Sequence, residues 1–566
     1  MRAPPLFAAL RQALRQGYTA SALRGDVSAG LTVGIIAIPL AMALAIAVGV
    51  PPQHGLYTVL VAAPLIALTG GSRFNVSGPT AAFVVILLPI TQQFGIGGLL
   101  LCTMLAGLIL IALGLLRAGR LIAFIPYPVT LGFTAGIGVV IATLQIKDLL
   151  GLQLDGQPQH YVEQLLLLAR SLPGANLGDA LVAAICLAVL ILWPRWVPKI
   201  PGHLVALALG AVAGLMLEAA GLPVATLGER FSYELGGQTY PGIPPQLPAP
   251  VLPWHLPGPD GVALVLSYEL FHQLLGPAFA IAMLGAIESL LCARVADQLS
   301  DTPKHDPNQE LMAQGVANIA SPLFGGFCAT GTIARTVTNI KSGARTPVAG
   351  MVHALVLLVI VLGAAPLAEM IPLVSLAATA LVVAYNMGEW HSFANMRQYS
   401  PPYRITLLTT FALTVIIDIT VAVEVGLVLA GVFFIRRMSQ LTKVEHVSRE
   451  ELEAEGIDTK HLINTEVKRL TGVLFFGAVS KIEPLLDPRR KFAPVMVLDL
   501  TALLAIDSTG IDAIKTLDES LAARGVELRL THIRPVVLST MTRWGLISHF
   551  GEKRVFPTLR GALGLA

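Results

Sequence analysis

The sequence predicts a polytopic α-helical membrane protein of about 14 transmembrane helices, followed by a small cytoplasmic α/β domain. Three observations support this fold class. Hydrophobic residues make up 54% of the 566 residues and charged residues only 13%, which is about half the share found in soluble proteins. Apolar segments long enough to cross a lipid bilayer recur along the chain as far as Arg437. Beyond Arg437 the chain becomes polar, and strand-like runs alternate with helix-like runs.

The predicted spans follow a short N-terminal segment. Residues 1–26 contain arginines but no apolar run with a cleavage site, so we expect a cytoplasmic segment and not a signal peptide. Long apolar segments lie near 29–50, 55–70, 96–116, 122–145, 177–194, 201–221, 270–292, 347–365, 402–418 and 419–435. Shorter or interrupted ones lie near 78–90, 308–324, 331–343 and 371–387.

The basic residues predict the orientation. If both termini are cytoplasmic, most of them fall in inner loops, as the positive-inside rule requires. The inner set is Arg73, Arg117, Arg120, Arg195, Lys199, Arg294, Lys304, Lys341, Arg345, Arg397, Arg404, Arg436 and Arg437. The outer loops, which include a long proline-rich one at 222–268, hold mainly Lys147, Arg170 and Arg230.

The composition also argues against several functional classes. The four cysteines lie in apolar segments without CxxC or Cys/His spacing, so we expect neither disulfides nor a metal site. A nucleophile–base set is also missing from the sequence, and we therefore expect no enzyme activity and no cofactor. The net charge is only +3, and we expect no nucleic-acid partner.

The domain boundaries follow from the change in composition. We predict a transmembrane domain at 27–437, a polar linker at 438–459 and an α/β domain at 460–566. Within the last, GVLFFG, VMVLDL and VELRLTHI predict strands, whereas STGIDAIKTLDESLAARG and PVVLSTMTRWGLI predict helices. Asp507 and Ser508 are suitable N-cap residues for the first helix.

Two interrupted helices carry the prediction of function. One opens at Ser77, Gly78, Pro79 and Thr80, and the other, which glycines and threonines precede, opens at Gly331, Thr332, Ile333, Ala334 and Arg335. A helix that starts in mid-membrane points free N–H groups and its positive dipole end towards an anion. Two such helices in corresponding halves of a chain mark the midplane site of a secondary transporter. The alternative is a pair of ordinary helix starts at the lipid interface.

Two charged residues lie within apolar runs, where a charge is costly and therefore suggests function. The guanidinium of Arg335 could bind a carboxylate, or else pair structurally or reach the lipid interface. The carboxylate of Glu288 could bind a proton or help to hold a cation, and its alternative role is a structural salt bridge.

Several runs, in order, carry a resemblance to a known family. They are DVSAGLTVGIIAIPLAMALAIAVGVPPQHGLYT, SRFNVSGPTAAFVVIL, IPYPVTLGFTAGIGVVI, AMLGAIESLLCARVAD, NQELMAQGVANI and ARTVTNIKSGARTP. The chain thereby resembles the SulP family of anion transporters, the bacterial side of solute carrier family 26. The C-terminal region resembles the STAS domain, named after sulphate transporters and anti-sigma factor antagonists.

The resemblance implies two inverted seven-helix repeats that form core and gate domains, in a homodimer in the bacterial inner membrane. It places the substrate between Ser77–Thr80 and Gly331–Arg335, with Glu288 beside it. Similarity to bacterial C4-dicarboxylate transporters implies proton-coupled uptake of a small dicarboxylate anion such as succinate, fumarate or aspartate. The STAS resemblance implies a cytoplasmic protein partner and a regulatory, phosphorylatable hydroxyl at Thr509, next to Ser508.

The coupling ion and the substrate leave alternatives open. Sodium-coupled relatives carry hydroxyl residues where this chain has Cys292 and Ile333, so sodium coupling is doubtful and we expect protons, with Glu288 as their carrier. Sulphate and bicarbonate are the alternative substrates. A further alternative is a membrane-anchored signalling or scaffold protein that acts through the STAS domain.

Overall fold

A computed structural model describes residues 7–122, 126–154, 161–197, 201–235, 238–258, 261–417, 419–459, 462, 464–487, 489 and 491–565. The chain divides into two compact units, Met1–Leu427 and Val428–Ala566. The first unit is helical, and the second contains a mixed sheet with helices.

The helices that begin in the first unit are numbered in chain order. They are α1 (Ala8–Arg15), α2 (Ala20–Val48), α3 (Pro52–Thr69), α4 (Val84–Leu115), α5 (Gly119–Ile122), α6 (Tyr127–Leu149), α7 (Tyr161–Ser171), α8 (Leu177–Trp196), α9 (Gly202–Ala219), α10 (Leu227–Arg230), α11 (Tyr268–Gln298), α12 (Pro307–Ala320), α13 (Ile333–Lys341), α14 (Val348–Ala368), α15 (Leu373–Met387), α16 (Trp390–Ala394), α17 (Pro401–Ile416) and α18 (Ile419–Leu441). Among the described residues, α2, α4, α6, α8, α9, α11 and α14 are long and apolar enough to cross a membrane.

Helix α4 contains two of the predicted spans in one continuous stretch. Gly95 interrupts it with a φ of 67° and a ψ of −173°, a backbone conformation that glycine adopts without strain. A Cβ at this position would lie 2.5 Å from the backbone of Gly258. Gly95 therefore separates the predicted 78–90 and 96–116 segments, and the backbone near Gly258 packs against the break.

The helices of the first unit pack into two groups. In the first, α2, α3, α4, α11, α12, α13 and α14 contact one another, with α14 on α2 and α12 on α4. In the second, α6, α8, α9, α15 and α17 do so, with α15 and α17 on α6. We call the first group the core domain and the second the gate domain. Glycines such as Gly30 and Gly34 allow the close approach of α2 to α14, because a Cβ there would overlap α14 side chains.

Two short strands join the interrupted helices within the core domain. Strand β1 (Ser77–Gly78) pairs with β4 (Thr330–Gly331), with Ser77 opposite Gly331 and Gly78 opposite Thr330. The pairing is antiparallel, which is the arrangement that two repeats of opposite orientation produce. Between them in sequence, the predicted outer loop at 222–268 contains a hairpin of β2 (Ser232–Leu235) and β3 (Gln238–Pro241).

The second unit contains one mixed sheet with flanking helices. Its strands are β5 (Lys443–His446), β6 (Thr465–Leu474), β7 (Val495–Asp499), β8 (Leu503–Ile506), β9 (Glu527–Thr531) and β10 (Val555–Phe556). They follow the order β10-β9-β7-β6-β5, with β8 also on β6, and all pairs are parallel except β5 with β6. The helices are α19 (Arg449–Ala454), α20 (Ser508–Ala522), α21 (Pro535–Arg543), α22 (Leu546–Phe550) and α23 (Leu559–Ala562).

The predicted elements of this unit are present, but PVVLSTMTRWGLI forms two helices, α21 and α22, where one was predicted. Helix α19 lies in the predicted linker, and strand β8 was not predicted. Two further differences concern the sheet. Strand β5 lies in the predicted linker and pairs with β6, so the sheet begins before residue 460. Strand β6 begins seven residues before the predicted GVLFFG run, at Thr465. This part of the strand was not predicted because it contains charged residues. In the structure these residues are paired: Lys468 is buried 2.7 Å from Glu466, and Arg469 donates a hydrogen bond to Asp499.

Helix α20 begins where the sequence predicts. The carboxylate of Asp507 caps it by accepting from the Gly510 N–H at 2.8 Å. Thr509 is exposed and Ser508 is half-buried in its first turn, and their regulatory role stays a prediction. Asp499 ends β7. Burial alone would raise its pKa, but hydrogen bonds from Thr501 and Arg469 outweigh burial and hold the pKa below its usual range.

Candidate anion-binding site

Strands β1 (Ser77–Gly78) and β4 (Thr330–Gly331) pair at a point that we call the crossing. The crossing brings the two interrupted helices together. Thr332 continues the crossing, because both its N–H and its hydroxyl donate to the Val76 carbonyl at 2.9 Å. Helix α13 starts at Ile333 without a side-chain cap, and a short 3₁₀ turn, Ala81–Phe83, starts α4. The first N–H groups of each helix have no partner within that helix, and the two positive dipole ends approach the same region.

A cavity of about 500 Å³ lies between this crossing and the gate domain. Most of the predicted site residues line it: Pro79, Thr80, Glu288, Gly331, Thr332, Ile333, Ala334 and Arg335. Ser77 and Gly78 do not. They lie in β1 behind the cavity wall, where the Ser77 hydroxyl accepts from the Gln314 amide at 3.2 Å. The structure therefore brings the predicted set together, with two members in a supporting position.

Arg335 supplies the positive charge of this cavity. Its side chain is 3% exposed, and its Nη2 donates to the Pro79 carbonyl. Its Nε and Nη1 have no hydrogen-bond partner in the described part of the chain. A Cβ on Gly78 would lie 2.6 Å from Nη1, so a glycine is needed where the guanidinium crosses β1. Burial of a cation whose N–H donors lack partners costs free energy unless an anion accepts hydrogen bonds from them.

Glu288 of α11 lies on the same wall of the cavity. It is half-buried, and its Oε2 is buried without a hydrogen-bond partner among described residues. Thr80 and Arg335 are close enough to interact with its charge. The carboxylate is therefore available to a proton or to the contents of the cavity.

The gate domain supplies the opposite wall, which the sequence did not reveal. Tyr127 donates a hydrogen bond to the carboxylate of Glu389. His203 and Asn386 also line the cavity, and His203 Nδ1 has no partner in the described part of the chain. These side chains lie near the ends of α6, α9 and α15. In the sequence these positions showed only the boundaries of helices.

Helix α12 carries a polar ladder that positions the crossing. Its members are spaced four residues apart on one face of the helix: Glu310, Gln314 and Asn318, each at most 1% exposed. One carboxylate oxygen of Glu310 accepts the N–H groups of Gly71 and Ser72 at 3.0 and 3.1 Å. The other oxygen accepts the amides of Asn75 at 2.5 Å and Gln314 at 3.1 Å.

The same ladder also holds the second interrupted segment. The Asn318 amide accepts from the Ala329 N–H and donates to the Ala329 carbonyl, both at 2.8 Å. One helix thus fixes the chain that precedes β1 and the chain that precedes β4. The signal was present in NQELMAQGVAN, where polar residues recur at every fourth position of an apolar helix.

Cys292 and Ile333, the departures from the sodium-coupled pattern, have different surroundings. Cys292 is buried, and its Sγ lies 3.1 Å from Asn75 Oδ1 and 3.0 Å from Thr336 Oγ1. Ile333 is 40% exposed and faces the cavity. The thiol therefore forms hydrogen bonds with residues beside the crossing, and the isoleucine side chain adds apolar surface to the cavity.

Comparison with known proteins gives consistent matches along the chain. Residues 23–410 match the sulfate permease family, and residues 457–562 match the STAS domain. A Bacillus subtilis (strain 168) protein named "Putative sulfate transporter YvdB" is 37% identical, over 96% of this chain and 97% of its own. The bicarbonate transporter BicA of Picosynechococcus sp. is 32% identical, over 81% of this chain and 80% of its own.

A solved structure shares the fold. The overall structure of SLC26A9 superimposes with a TM-score of 0.83 at 18% identity, over 98% of this chain and 91% of that one. Together with the two family matches, it confirms the predicted helical membrane fold with a C-terminal STAS domain. None of the relatives named here is a dicarboxylate transporter, so the comparisons favour the alternative substrates, sulphate and bicarbonate, over the dicarboxylate prediction.

Proposed function

Because this chain belongs to the sulfate permease family, we propose that it is a secondary active transporter of a small inorganic oxyanion, sulphate or bicarbonate. One observation carries the proposal: Arg335 lines a cavity where two helix N-termini meet, and two of its buried nitrogens have no hydrogen-bond partner among the described residues. Oxyanions are the ligands that such donors and dipole ends bind. The substrates of the named relatives support this choice.

The proposed mechanism is alternating access. The core domain holds the anion at Arg335 and moves against the gate domain, which carries Tyr127, His203 and Glu389. With both termini cytoplasmic, the exposed Tyr127 and Glu389 lie at the inner ends of their helices, and the cavity opens inwards. The protein is then a multi-pass inner-membrane transporter in an inward-facing state.

A C4-dicarboxylate remains a second candidate because of the cavity itself. Its volume of about 500 Å³ exceeds the needs of a single inorganic anion. Apolar side chains such as Ile36, Leu131 and Ile333 line it together with the polar groups. Such surfaces suit the methylene carbons of succinate, while Arg335 binds one of its carboxylates.

Uptake into proteoliposomes distinguishes these substrates. We expect labelled sulphate or bicarbonate to accumulate, with the other oxyanion as a competitor. Succinate should compete only if the anion cavity also accepts a dicarboxylate. Vesicles that contain Arg335→Ala protein serve as the matched control. Uptake equal to that of the control for all three anions would contradict the transport proposal, and succinate uptake alone would select the second candidate.

We propose that protons drive uptake through Glu288. An ionised carboxylate beside a bound anion repels it, and protonation removes the repulsion, so anion and proton bind together. An inward proton gradient should therefore accelerate uptake by the native protein. Glu288→Gln, which imitates the protonated side chain, should transport without a response to the gradient.

Sodium provides the control for the coupling prediction. A sodium gradient at constant pH should leave the native rate unchanged. A sodium response, or a proton response that persists in Glu288→Gln, would show that the coupling assignment is wrong.

A further inference from the structure

A second cavity, of about 820 Å³, lies within the gate domain between α6, α8 and α15. It shares only Asn386 with the lining of the anion cavity. Its long walls are apolar, with Ala142 and Ile146 on α6, Leu187 and Ile191 on α8, and Leu381 on α15. Ile191 is 54% exposed, so this groove opens on the outer surface of the helices, where a membrane protein meets lipid.

One end of the groove is polar and cationic. Arg195, in the last turn of α8, lines it together with Tyr385 and Trp390. The indole N–H of Trp390 donates to the Tyr385 carbonyl at 2.8 Å, which fixes the orientation of the ring. Arg195 is exposed and has neither a hydrogen bond nor an ion pair with any described residue. Tyrosine and tryptophan beside a basic residue are typical of the membrane–water interface.

We propose that this groove binds an anionic phospholipid, with an acyl chain along its apolar walls and the phosphate on Arg195. The chemistry selects this occupant, because an apolar groove that ends in a guanidinium without a partner among the described residues complements an amphiphile with an anionic head. A free inorganic anion would leave the apolar walls unused. The orientation predicted from the basic loops places Arg195 at the cytoplasmic surface, so the lipid comes from the inner leaflet.

The lipid groove also contacts the helix of the gate domain that lines the anion cavity. Asn386 lines both cavities, and Leu381, Val382 and Tyr385 precede it on α15. A lipid in the groove therefore packs against the helix that forms one wall of the anion cavity. Lipid occupancy would stabilise the observed position of α15, a consequence that is separate from binding itself.

Lipid binding can be measured directly on the full-length protein by native mass spectrometry in detergent. We expect phosphatidylglycerol to bind more tightly than phosphatidylcholine. Arg195→Gln should reduce the affinity for phosphatidylglycerol about fivefold, the effect of one basic residue at an anionic surface. Arg397→Gln is the matched control, since Arg397 is also exposed and predicted to be cytoplasmic but does not line the groove. It should leave binding unchanged.

Three further measurements use the same purified protein: lipid binding to Leu187→Trp, competition by inorganic phosphate, and the oligomeric state. Leu187→Trp fills the apolar part and should weaken the binding of both lipids. Equal affinity for the two lipids, or an unchanged preference in Arg195→Gln, would overturn the proposal. Competition by millimolar inorganic phosphate would assign Arg195 to a free anion instead. A shift of Leu187→Trp from dimer to monomer would assign the groove to a second copy of the chain.

Discussion

Replacement of Arg335 by alanine is expected to abolish or severely weaken anion transport while the protein stays folded. Among the described residues the side chain makes one hydrogen bond, to the Pro79 carbonyl, which leaves Nε and Nη1 for a ligand. A hydrogen bond to a charged group contributes about 1.5–3 kcal/mol, so the loss of one corresponds to an affinity about 10 to 150 times weaker. Removal of a buried, unpaired cation should not lower stability.

The measurement is the KM for uptake, together with the melting temperature of the purified protein. Arg335→Lys keeps the charge but loses the planar donor arrangement, and should fall between the native protein and Arg335→Ala. Arg397→Ala, an exposed arginine outside the cavity, should resemble the native protein. An unchanged KM in Arg335→Ala would contradict the assignment of the site.

The second large effect is expected at Glu310, for a different reason. Glu310→Ala leaves the N–H groups of Gly71 and Ser72 and the amides of Asn75 and Gln314 without their acceptor. Each buried donor without a partner costs about 1–3 kcal/mol. We therefore expect both transport and the melting temperature to fall. Glu310→Gln retains part of the acceptor capacity and should lose less of each.

The melting temperature distinguishes the effects of the Arg335 and Glu310 substitutions. Arg335→Ala should affect transport alone, whereas Glu310→Ala should affect the fold of the crossing and transport together. Glu163→Gln, an exposed carboxylate in α7, is the control for a loss of negative charge and should change neither. If Glu310→Ala kept its melting temperature, the ladder on α12 would not support the crossing.

The two halves of the site were predictable from sequence to different degrees. The core wall was predictable because its signals are local: small residues before a short helix, and single charges at Glu288 and Arg335 in apolar runs. The gate wall was not, because Tyr127, His203 and Glu389 lie at ordinary helix ends. Only the packing of the gate domain against the crossing turns those positions towards the cavity.

The sequence by itself determined that this protein is a polytopic membrane protein with an α/β tail, because composition and the length of apolar runs depend on solvent and not on partners. It also located the interrupted helices, since their glycines and prolines act locally. Only the tertiary structure decided that Ser77 supports the site from behind it, and that Glu310, Gln314 and Asn318 hold the crossing. Those roles arise from contacts between residues up to 239 positions apart, and sequence periodicity carries no information on such pairs.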